Sequence, residues 1–64
     1  MKTGDTGFLK GGSEDSITWI AVKVNVIRKD GSVTFQHFGG FQCWFLNSSE
    51  VKDLFYKRIP RDNT

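Results

Sequence analysis

Apolar and polar positions alternate from Ile17 to Arg28. Ile20, Val22, Val24 and Val26 take every second place, with Trp19, Ala21, Lys23 and Asn25 between them. Period two with β-branched enrichment predicts a half-buried strand whose valine face meets a core. Asp30-Gly31 follow, a leading hairpin signal between two alternating segments. A two-residue turn there sets Val26 opposite Phe35 and Val24 opposite His37. A three-residue turn with a bulge shifts every partner. The two-residue turn is the preferred reading. "VTFQHF" is the return strand, and Gly39-Gly40 break it by allowing a sharp bend. "FQCWFL" reads as a further strand.

After Leu46 the period changes. Asn47 is a good N-cap, and Glu50 three residues on completes a capping box. Val51, Leu54 and Phe55 then share one helical face. Lys57 and Arg58 suit a helix C-terminus, and Pro60 closes it. These positions predict a helix of at most three turns. Before Ile17, "TGFLK" predicts a short strand and "GGSEDS" a loop. Sequential antiparallel strands followed by one helix predict a mainly β fold. The expected form is a small, strongly bent antiparallel sheet or barrel of four or five strands, capped by the short C-terminal helix. All of residues 1–64 belong to one domain, with frayed ends at 1–5 and 60–64.

Composition narrows this picture. A chain of 64 residues has a small core and usually needs a disulfide, a metal or self-association. The lone cysteine excludes an internal disulfide, and one histidine with one cysteine disfavours structural zinc. Aromatic packing or a homo-oligomer is expected instead, with no cofactor. No apolar run reaches the length of a membrane span, about 18 residues. The N-terminal segment lacks the apolar stretch of a secretion signal, so an intracellular protein (cytoplasmic, or nucleoid or nuclear) is expected. The net charge of +2 does not by itself imply nucleic acid.

Candidate chemistry is sparse. Cys43 and His37 could approach across the Gly39-Gly40 bend, but no carboxylate lies near to orient a base. Cys43 is expected to be a small buried apolar residue, and His37 to sit at the core edge or to contact a ligand by stacking. No phosphate loop joins a strand to a helix. A non-enzyme is expected. The rings of "FQHFGGFQCWF" divide by strand alternation. Phe35 and Phe45 are assigned to packing, and Phe38, Phe41 and Trp44 to contact.

Gly4-Asp5, Trp19-Ile20-Ala21-Val22-Lys23-Val24, Asp30-Gly31 and Phe35-Gln36-His37-Phe38-Gly39 stand in an order and spacing that resemble a Tudor-like domain. Such domains are Src-homology-3-like small barrels. The resemblance covers residues 4–39 and implies an aromatic cage for a methylated cation. Trp19 and Phe38 would take cage positions, with Phe41 as a third ring. His37 stands where the family carries aspartate, Gly40 where it often carries asparagine, and Ala21 comes one place early. Residues 17–59, strands followed by a capped helix, also resemble the Whirly-like single-strand-DNA-binding coactivator fold. That resemblance implies a dimer with a curved sheet.

Two functions follow as expectations. The first is a protein-interaction module, such as an inhibitor or an assembly subunit, in which spare rings form a hot spot. The second is a nucleic-acid-binding module, in which Trp19, Phe38 and Phe41 stack bases. Lys23, Arg28, Lys29, Lys57, Arg58 and Arg61 would then neutralise phosphates.

Overall fold

The structure is a computed structural model and describes residues 1–60. It is mainly β: five antiparallel strands in one open sheet, with one short helix near the C-terminus. The strands are β1 (Thr6–Ser13), β2 (Ser16–Ile27), β3 (Val33–His37), β4 (Cys43–Leu46) and β5 (Phe55–Tyr56), with α1 (Ser48–Leu54) before β5. The sheet order is β4-β3-β2-β1-β5. The first four strands form a meander, and the last returns to lie beside the first. No helix among the described residues is long and apolar enough to cross a membrane.

The first hairpin is longer than expected. "GGSEDS" is not a loop: β1 runs on to Ser13, which pairs with Ser16 and leaves only Glu14-Asp15 in the turn. Gly12 makes this possible. Its φ is +82°, and a Cβ there would lie 2.2 Å from the Ser16 carbonyl oxygen, so only glycine lets the two strands close here.

The central hairpin uses the three-residue turn rather than the two-residue one. Gly31 N–H donates to Arg28 C=O at 3.0 Å, and Arg28 N–H donates to Ser32 C=O at 2.9 Å. A two-residue type I′ turn needs positive φ at both Asp30 and Gly31. Only Gly31 has it, at +92°. Asp30 instead turns its carboxylate onto Ser32, accepting from the backbone N–H at 2.8 Å and the hydroxyl at 2.7 Å. A bulge at Asn25 then shifts the register again, so that Val24 pairs with Phe35 and Val22 with His37. Val26, expected on the valine face, pairs with Thr34 on the opposite face and is exposed.

The core lies on one side of the sheet. Leu9, Val22, Val24, Val33, Phe35 and Leu46 are buried there, with Ile20, Trp44, Val51, Leu54 and Phe55 packed against them. The Phe35 and Phe55 rings stack at 4.9 Å. Gly7 makes room for this stack, because a Cβ there would come within 2.5 Å of the Phe55 ring.

The capping box forms as expected. Asn47 accepts from Glu50 N–H at 2.9 Å, and Asn47 N–H donates to the Glu50 carboxylate at 3.0 Å. The helix ends earlier than its period suggests. Phe55 leaves it in extended conformation, with φ −96° and ψ 130°, and pairs with Leu9. Ring stacking and a strand pairing outweigh the longer helix that Lys57 and Arg58 suggest.

Candidate functional site

Strand alternation assigns every side chain of the sheet to the core face or to the outer face. On the outer face one row crosses the sheet. Tyr56 of β5 pairs with Phe8 of β1, and Phe8 pairs with Ala21 of β2. Phe38 N–H donates to Ala21 C=O at 2.9 Å, which continues the row beyond the end of β3. Trp19, two residues from Ala21 on the same face, meets Tyr56 edge-on, with ring centroids 5.1 Å apart and planes at 88°.

Ala21 is the smallest member of this row. Phe8 and Phe38 flank it from the two neighbouring positions, about 10 Å apart by strand spacing. The gap is a shallow cleft of about 190 Å³, lined by Phe8, Ala21 and Phe38 together with Thr6 and Lys57. Lys10 pairs with Trp19, and Lys23 pairs with Thr6 and Gln36, so both lysines lie on the same face. At the far end of the face the Arg28 guanidinium sits 4.7 Å over the Phe45 ring and donates to Thr34 Oγ1 at 2.8 Å.

No strand position of the outer face carries an acid. Glu14 and Asp15 occupy the first turn, Asp30 the second, and Glu50 and Asp53 the helix. Asp5 pairs with Val24 through backbone bonds and reaches Lys57 at 3.8 Å. Hydrogen bonding from the Lys2 backbone N–H, helped by nearby positive charge, holds its carboxyl below the usual range.

The residues singled out from the sequence are thus partly gathered. Phe38 and Lys57 line the cleft, and Trp19, Lys23 and Arg28 share the outer face with it. Phe41 stands in the loop after β3, 96% exposed. Lys29 is at the tip of the central turn, and Arg58 is exposed beyond β5. Arg61 lies outside the described residues. Trp44 pairs with Phe35 and packs half-buried against the core.

The expected division of rings in β4 is inverted. Phe45, assigned to packing, is on the outer face and 63% exposed, while Trp44 faces the core. The alternation is as read, but the phase was set by the register with β3, which the turn and the Asn25 bulge decide. The same phase exposes Cys43, expected to be buried. It also puts Cys43 and His37 on opposite faces, so no Cys–His pair forms. His37 is half-buried, and its Nδ1 accepts from Gly39 N–H at 3.2 Å.

Phe8, Lys10 and Tyr56 belong to this face and were not singled out. Phe8 and Lys10 carried a signal, since their alternation mirrors Trp19 and Ala21 across a hairpin. Tyr56 carried none, because its stretch reads as helix. Comparison of the chain with protein-family models, with curated proteins and with solved structures gives no match.

Proposed function

We propose that this chain is a non-enzymatic binding module whose outer sheet face takes a single-stranded nucleic acid. One observation carries the reading: rings and positive charge share a face from whose strand positions every acid is missing. Every base has a π-face, so rings on a sheet bind single strands with little sequence preference, and flanking cations follow the backbone. Phe8, Trp19, Phe38 and Tyr56 supply the rings. Lys10, Lys23 and Arg28 supply charge, while Lys57 at the rim of the cleft is paired with Asp5 at 3.8 Å. An unstacked base fits the gap over Ala21, between Phe8 and Phe38.

The Tudor-like alternative uses some of the same residues for a methylated cation. Such a ligand is attracted by ring faces and favours a nearby carboxylate over ammonium groups. The lysines around Trp19 and Phe38 disfavour it. They favour an anion.

Titration with oligo(dT) and oligo(U) at low salt tests the proposal. Binding is expected, and Phe38→Ala should weaken it by about 1–3 kcal/mol while the fold persists. Lys23→Gln should flatten the log–log salt dependence by about 0.7. No binding of either oligomer at low salt ends this reading.

A second reading rests on the loop after β3, where Phe38 and Phe41 are 64% and 96% exposed. Apolar rings on a tight loop suit the hot spot of a protein partner. That reading predicts a partner whose binding is nearly independent of salt and is lost in Phe41→Ala.

A further inference from the structure

Among the described residues, the β4 edge leaves backbone groups unpaired. His37 N–H donates to Gln42 C=O at 2.7 Å, and hydrogen-bonded residues alternate along an antiparallel ladder. Gln42, Trp44 and Leu46 therefore direct their N–H and C=O groups at β3. Cys43 and Phe45 direct theirs outward. Free edges are normally blunted by short length, charge, proline, a bulge or a covering segment, and β4, with four residues, has only its length. "FQCWFL" has no charge and no proline, and its pairing with β3 is regular. The opposite edge differs: β5 is two residues long and runs into Lys57 and Arg58.

We infer that β4 pairs antiparallel with β4 of a second copy, about a two-fold axis at Trp44 perpendicular to the sheet. Residues opposite each other in a ladder share a face, so a self-pairing must centre on a residue and not between two. An axis at Phe45 sets Cys43 against the partner's Asn47, whose N–H is already given to Glu50 at 3.0 Å. An axis at Cys43 draws on Phe41, which lies outside the strand. The axis at Trp44 pairs Cys43 with the partner's Phe45, and the reverse, through the groups that point outward. It also sets the two Trp44 side chains opposite each other at a non-hydrogen-bonded position, where cross-strand contact is closest.

A second copy suits this edge for two further reasons. Its β4 brings no charged side chain of its own into the pairing, and the charge beside it is the Arg28 guanidinium over each Phe45 ring. The second copy also enlarges the apolar packing of a chain whose own core is six residues, the usual remedy for so small a scaffold. The perpendicular axis leaves both outer faces on the same side. The two Arg28–Phe45 clusters then meet at the centre of one continuous face. This pairing does not depend on what that face binds.

Amide hydrogen exchange by NMR, with sedimentation equilibrium on the same samples, tests the inference. A species of twice the 7.3 kDa chain mass is expected. The Cys43 and Phe45 amides should become protected as protein concentration rises, while Trp44 and Leu46 are protected throughout. Phe45→Lys and Cys43→Lys each place a charge on an exposed edge position and should return the protein to monomer with its other protection intact. A monomer in which Cys43 and Phe45 exchange freely at every concentration overturns the inference. So does a dimer in which those two amides stay unprotected, since it must use another surface. The wild-type exchange data decide the matter even where a variant fails to fold.

Discussion

Gly7 and Asp30 show how single residues set what the sheet can do. Gly7 is buried, and the Phe55 ring occupies the space that a side chain would need. Gly7→Ala should therefore destabilise the protein by about 1–3 kcal/mol through overpacking, read as a lowered melting temperature by circular dichroism. Asp30 holds the central turn. Hydrogen bonds from the Ser32 hydroxyl and then the Ser32 N–H keep its carboxyl below the ordinary value of 3.8. A carboxyl lowered by folding stabilises the fold above its unfolded value and loses that contribution as pH falls through the folded value. Wild type should thus be more stable than Asp30→Asn at neutral pH. The gap should narrow from about pH 5 downward and close once Asp30 takes its proton. Thermal melts of both proteins across that range check this, and a gap that persists at low pH would show that the charge is not what matters.

At the scale of elements, local signals and tertiary contacts divide the work. The alternation of β2 and the Asn47–Glu50 capping box are local, and both were legible in the sequence. Asn47→Ala should cost about 1 kcal/mol, because α1 has only seven residues and little helical cooperativity of its own. A melting temperature unchanged in Asn47→Ala would mean that packing alone holds the helix. What was not legible depends on partners distant in sequence. The end of α1 at Leu54 follows from Phe55 stacking on Phe35. The phase of β4 follows from a turn and a bulge more than ten residues before it. A one-residue slip exchanges the two faces, so the sequence could separate Trp44 from Phe45 but not say which faces the core. The candidate face was half legible for the same reason. Trp19, Phe38 and Lys23 carry the β2–β3 alternation, whereas Tyr56 reaches the face only because β5 returns to β1.

For the whole molecule, the central claim is that one side of a five-stranded sheet holds the core and the other side, acid-free at its strand positions, binds a polyanion. Chemical-shift mapping with oligo(dT) at low salt tests it most directly. The predicted result is a contiguous set of perturbations at Phe8, Trp19, Ala21, Phe38 and Tyr56, with Lys10 and Lys23, that fades as salt is raised. Perturbations confined to α1 or to the acidic turn at Glu14-Asp15, or none at all, would contradict it.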